Sequence, residues 1–301
     1  MPDIISSLVP LFLLFILGVF LRKLNFTTVE QGAFLLKLVT FVGLPALIVV
    51  AIAKVELTPE KIYLPLISVL VILSCMAAAL LYFRLRDIPA QTRGAILIST
   101  MIMNGVFMFA IILGGFGEAA FADAVLFDFG NAIMVSTITY LMAFRYSHEH
   151  HASVLSRLSK STLFWAVVVG LGLNLLAIPL PAVIQGFLVP IGNITVPLIL
   201  IGLGILFRPR AEHLELLAPT LFIRMAIGMA VGTLLAIVLG LEGTTFIVVS
   251  LCAGAPIGFN ALSFASVAKL DVEFTSSAIS SSVIVGMVLI PIYIFLYEVL
   301  A

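Results

Sequence analysis

Charge is what this sequence has least of. Only 15 lysines plus arginines and 15 aspartates plus glutamates are spread over 301 residues, 10% of the chain, where a soluble domain carries about a quarter. That excludes an ordinary water-soluble fold. Cysteine is nearly missing too: Cys75 and Cys252 both fall inside apolar runs, so no disulfide staples a loop and both read as small packing residues. Of the 4 histidines, three crowd into His148-Glu149-His150-His151. The zinc-protease spacing needs its second histidine where Ala152 stands, so this is read as a solvated loop and no metal site is expected. No phosphate-cradling glycine loop, nucleophile elbow or pair of intramembrane acids is found, which argues against ATP-driven pumping by this chain and against an enzyme. No basic patch marks a nucleic-acid partner, and no cofactor is implied.

What is abundant is hydrocarbon: 62% hydrophobic residues and a mean hydropathy of +1.29. The apolar runs predict spans at roughly 4 to 22, 33 to 53, 62 to 83, 94 to 115, 119 to 144, 162 to 178, 186 to 207, 218 to 240, 244 to 268 and 274 to 299. The class is an all-α polytopic membrane protein of ten transmembrane helices whose solvent is the lipid bilayer. The first span has no basic residue before it and Arg22-Lys23 after it, so it is expected to be retained with its N-terminus outside. Arg22, Lys23, Lys37, Arg84, Arg86, Arg93, Arg145, Arg157, Lys160, Arg208, Arg210, Arg224 and Lys269 then lie inside, 13 of the 15 basic residues. Positive charge inside places both termini on the extracytoplasmic side of the cell (inner) membrane.

A shift of 152 residues superposes Phe12 on Phe164, Gly18 on Gly170 and Pro45 on Pro197. Glycine and proline each impose a local backbone property, so these matches carry more than matched leucines do. Five spans is an odd number, and the second copy enters the membrane upside down. Residues 1–148 are expected to form one five-helix repeat, 149–161 a cytoplasmic linker and 162–301 the inverted second repeat.

The fourth and ninth spans are interrupted at mid-membrane depth, near Asn104-Gly105 and from Gly254 to Asn260. A backbone group unpaired in hydrocarbon costs several kcal/mol, so such breaks are expected to line a protein-walled or wet cavity. After each break a half-helix begins at the midplane with its positive dipole end toward the centre, which suits a small anion; the two C-terminal ends suit a cation or a donor.

Thr40 to Val50 in the second span, Val196-Pro197 with Gly202-x-Gly204 in the seventh, and Ala255-Pro256-Ile257-Gly258-Phe259-Asn260-Ala261 in the ninth resemble the auxin efflux carrier family of membrane transporters, as do Asp271 to Ser277 and Pro291. The resemblance covers essentially the whole chain and points to its bacterial organic-acid branch of malonate or malate type. It implies broken helices 4 and 9 that cross, as in bile-acid and sodium symporters, a scaffold of helices 1, 2, 6 and 7, a moving body of helices 3–5 and 8–10, and a homodimer. It further implies carriage of small mono- or dicarboxylates by alternating access, in an elevator-type motion. At the fourth span the family pattern Asn-x-Gly-x-x-Gly-x-Pro is altered: Gly105 matches, whereas Met103, Met108 and Ala110 stand where Asn, Gly and Pro are usual.

Asn104, Gly105, Pro256, Gly258, Asn260 and Ala261 are the substrate-binding candidates. The two amides could contact a carboxylate or cap freed backbone, and the glycines permit the unwound chain. Asp128, with Asn131 a turn later, is the one carboxylate well inside a span, a candidate proton or sodium coupling site or a structural pair. Lys269 and Asp271 are gate candidates, with a solvated turn as the plainer account; Pro45 and Pro197 are expected to shape the cavity wall by kinking their helices. The serines from Ser276 to Ser282 and Gly228-x-x-x-Gly232 read first as close helix packing. The competing readings are a non-transporting sensor on a carrier fold, or a sodium-coupled symporter of bile-acid type.

Overall fold

The computed structural model describes residues 4–146, 160–208 and 214–300; the His148–His151 cluster lies outside them. Among the described residues the regular structure is helical, apart from one isolated β-bridge. In chain order the helices are α1 (Ile4–Lys23), α2 (Val29–Lys54), α3 (Leu64–Leu85), α4 (Ala90–Met101), α5 (Gly105–Met134, two helical arms joined at Gly117, whose φ of 83° breaks the helix and lets the second arm return beside the start of the first), α6 (Thr162–Leu175), α7 (Ala182–Asn193), α8 (Thr195–Leu206), α9 (Leu214–Val238), α10 (Gly243–Ala253), α11 (Asn260–Val267) and α12 (Val272–Leu300). Six stretches among the described residues are long and apolar enough to cross a membrane: Val29–Lys54, Pro59–Leu85, Gly105–Arg145, Ala182–Leu206, Leu214–Val238 and Val272–Tyr297. The outward faces carry large apolar side chains, among them Phe26, Phe34, Val183, Phe187 and Ile237. A surface of that kind suits hydrocarbon as its solvent. The protein is a multi-pass membrane protein.

Lipid tails are as apolar as leucine, so helices in a bilayer associate by close approach rather than by expulsion of water. The glycines supply that approach. A Cβ on Gly18 of α1 would run into the Ile201 carbonyl of α8 and approach Gly204, and one on Gly170 of α6 would run into Ile52 of α2. Gly228 and Gly232 of α9 both lie against Ala253 at the end of α10, so this small-residue pair packs inside the fold. Asn174 of α6 donates to the carbonyls of Ile52, Ala53 and Val55 at 3.0, 3.3 and 2.7 Å, answering the orphan acceptors at the end of α2.

Pro45 and Pro197 sit where the helix has already given way or has just restarted. In α2 the residues Val39–Gly43 form a π turn just before Pro45, which absorbs the missing amide and the ring clash with the preceding turn. Pro197 stands in the first turn of α8, restarted at Thr195, where no amide is needed.

One assignment of sidedness is corrected. Arg224, counted with the inner-face cations, is fully buried in the middle of α9, which leaves 12 of the 13 inner-face residues as reporters of orientation. Reading charge by its place in the chain could not see that α9 turns this side chain into the protein.

Candidate functional site

The interruptions expected in the fourth and ninth spans are real gaps between helices. The chain leaves helical geometry after Met101 and resumes at Gly105; it leaves again after Ala253 and resumes at Asn260. The two extended pieces meet as an antiparallel bridge between Met103 and Ile257. The Asn104 amide donates to the Pro256 carbonyl at 2.9 Å and the Gly258 amide to the Ile102 carbonyl at 3.0 Å. Two strands of a few residues thus satisfy each other where neither could satisfy itself.

Side chains answer what the bridge leaves over. Asn104 accepts from the Phe107 amide at 3.1 Å, capping α5, and donates to the Ile257 carbonyl at 3.4 Å. Asn131 accepts from the Met103 amide at 3.4 Å. Ser282 of α12 accepts from the Ile257 amide at 2.9 Å and donates its own proton to the Ile279 carbonyl at 2.7 Å. Gly258 is required by crowding, since a Cβ there would lie 2.5 Å from the Met103 carbonyl oxygen. Pro256 is buried, its ring against Gly286.

Beside the crossing lies a cavity of ≈ 550 Å³, within the range of small-molecule sites. It is lined by Asn104, Gly105, Asp128, Asn131, Gly258 and Asn260 of the crossing and its surroundings, and by α2, with Lys37 and Thr40. At the start of α11 no side chain caps the helix. The backbone N–H groups of Phe259 and Asn260 have no acceptor among the described residues, and the exposed Asn260 amide has no partner there either. Three donors and a positive dipole end therefore face open space.

The start of α5 is in the opposite condition. Asn104 already caps it, and the Asp128 carboxylate stands against it: a Cβ on Gly105 would fall 2.5 Å from the nearer carboxylate oxygen. Asn131 donates to that oxygen at 2.7 Å. No cation pairs with Asp128 among the described residues, in contrast to Asp123, also on α5, which Lys61 meets at 2.9 Å and Thr245 at 2.7 Å.

Of the residues singled out from sequence, Asn104, Gly105, Gly258, Asn260, Asp128 and Asn131 come together at the cavity. Ala261 is buried behind it, and Pro256 holds the bridge without reaching the lining. Pro45 and Pro197 lie off the lining too, although Thr40 and Phe41 of the π turn form part of the wall. Lys269 and Asp271 do not line it: Asp271 accepts from the Phe274 amide and the Thr92 hydroxyl, both at 2.9 Å, and so caps α12 and ties it to α4. Two contributors escape sequence reasoning. Lys37 speaks there for topology alone, and nothing in the serine run of α12 distinguishes Ser282 from its neighbours. Among the described residues no group of three metal-ligating side chains occurs.

A family model described as membrane transport protein matches residues 3–294. An uncharacterized transporter of Methanothermobacter thermautotrophicus is 26% identical over 299 residues, 96% of each chain. An uncharacterized transporter of Methanocaldococcus jannaschii is 22% identical over 282 residues, 89% of this chain and 90% of the relative.

Proposed function

We propose, from the premise that this chain belongs to the membrane transport protein family of auxin efflux carrier type, that it is a secondary carrier of small organic anions. The observation that carries this reading is the uncapped start of α11, where two backbone N–H groups and the Asn260 amide face a cavity of ≈ 550 Å³. A carboxylate is the small ligand that takes several donors at a positive helix end. Lys37, on the wall and without an ion-pair partner among the described residues, adds attraction for an anion. No chemistry on the substrate is required, which fits a carrier rather than an enzyme.

The architecture proposed is ten helices in two inverted five-helix repeats. Supporting it, Gly18 meets Gly204 as Gly170 meets Ile52, and a shift of 152 residues carries Gly18 onto Gly170 and Ile52 onto Gly204. The helices of those contacts, α1, α2, α6 and α8, together with α7, would be the scaffold; α3 to α5 and α9 to α12 would move as one body that carries the crossing. With both termini outside the cell membrane, the cavity opens inward, toward the Lys37 end of α2. Of the altered residues of the fourth span, Met108 and Ala110 are buried off the lining, whereas Met103, where the family pattern has Asn, is part of it and is the alteration that bears on the solute. A homodimer remains part of the proposal on resemblance alone.

The test is uptake of labelled malonate, malate, lactate and an indole acid by purified protein in liposomes, with and without proton and sodium gradients. Saturable uptake of any one supports the carrier and names its substrate class; flat traces from folded protein favour a sensor. Asp128 is the proposed coupling site. Asp128→Asn should retain exchange and lose gradient dependence, and gradient-driven uptake in that variant would remove the role.

A further inference from the structure

A fully buried arginine in a membrane protein needs a reason, because charge far from water is costly. Arg224 has one. Its Nη1 donates to the Thr100 carbonyl at 3.2 Å and approaches the Cys75 sulfur at 3.6 Å, and its Nη2 donates to the Ala253 carbonyl. Thr100 lies in the last turn of α4 and Ala253 ends α10. The guanidinium therefore joins the C-termini of both helices that lead into the crossing, off the lining of the cavity. Each such end carries roughly half a negative charge, so two ends sum to about one unit, which one arginine neutralises.

The backbone is arranged for this contact. Arg224 sits in a π turn, Phe222–Ile227, which shifts the register of α9 where the side chain must turn inward. One turn on, only glycine fits: a Cβ on Gly228 would lie 2.5 Å from the Ala253 carbonyl oxygen and 2.6 Å from Nη2 of Arg224.

We infer that Arg224 is a resident counter-cation at the crossing, holding the place between two half-helix C-termini that carbonyl chemistry would otherwise offer to a coupling metal cation such as sodium. The charge that balances the crossing is covalently part of the protein, so anion binding in the cavity requires no sodium. Arg224 is a positioning residue. It acts on the substrate through α4 and α10, whose ends it fixes, and it rests on the reading of the cavity as an organic-anion site only for its transport consequence.

Two arms test it. Without substrate, thermal unfolding of the purified Arg224→Ala and Arg224→Gln variants is followed in choline, sodium and millimolar methylguanidinium chloride. A vacated cation site is expected to make at least one variant melt lower than the wild type and recover with methylguanidinium or sodium, while the wild type responds to neither. Variants that fold and respond to cations no more than the wild type overturn the inference. With labelled organic acids, wild-type uptake is expected to be equal in sodium and choline, and Arg224→Gln to fall by roughly 10- to 100-fold, the scale of a lost charge-assisted hydrogen bond. Arg224→Lys should keep a larger share. Wild-type uptake that requires sodium, or undiminished uptake by Arg224→Gln, overturns it. If no acid is carried by any variant, the organic-anion reading fails while the melting arm still decides the cation site; if neither variant folds, sodium dependence of the wild type decides it.

Discussion

At the first break Asn104 spends both ends of its amide on backbone and Asp128 stands over the opening turn of α5; at the second, the donors at the start of α11 are left facing the cavity. The residue types are alike, an asparagine and a glycine at each, yet one half-helix end is closed by the protein's own groups and the other is open. Two breaks built from the same residue types need not share a task. The first uses up its polar groups in the crossing, and the second keeps donors unused beside the cavity.

The sharpest way to break this contrast is to crowd the bridge that both sides share. Gly258→Ala sets a methyl against the Met103 carbonyl and is expected to cost about 3 kcal/mol, the upper end of overpacking, read as a lowered melting temperature; a wild-type melt would show the two strands are not in contact. Next in size, Asn104→Ala removes a helix cap and orphans the Ile257 carbonyl, for a loss of about 2 kcal/mol in stability. Asn260→Ala should do the reverse: stability within about 0.5 kcal/mol of the wild type, but solute affinity down about tenfold, or ~1.4 kcal/mol. If the two asparagine variants behave alike, the division of labour is wrong. Smallest is Lys37→Gln, expected to slow anion uptake about twofold at low salt, with the difference fading as ionic strength rises; persistence at high salt would mean a direct contact.

Both breaks are legible in the sequence because small and polar residues inside a long apolar run weaken the helix at the depth where water cannot repair it, and Asn104, Gly105, Gly258 and Asn260 do meet. Which asparagine caps and which is free is not legible, since that depends on the bridge between segments some 150 residues apart, such as Asn104 and Ile257 at a separation of 153. Arg224 escapes for a related reason. Its position near a basic face suggests solvent, and only the π turn, with Gly228 one turn beyond, shows why it turns inward. Ser282 looks like one of several packing serines, and its task exists only because the Ile257 amide is left over by the bridge.

The pairing of Asn104 with Pro256 and of Ile102 with Gly258 also bears on how the chain is made. When the segment at Ile102–Asn104 is synthesised, the strand that answers it is still some 150 residues away, and its amide and carbonyl wait until that later segment arrives. Closing so long a loop is slow compared with pairing neighbouring helices, so the crossing is among the last parts of this protein to exist.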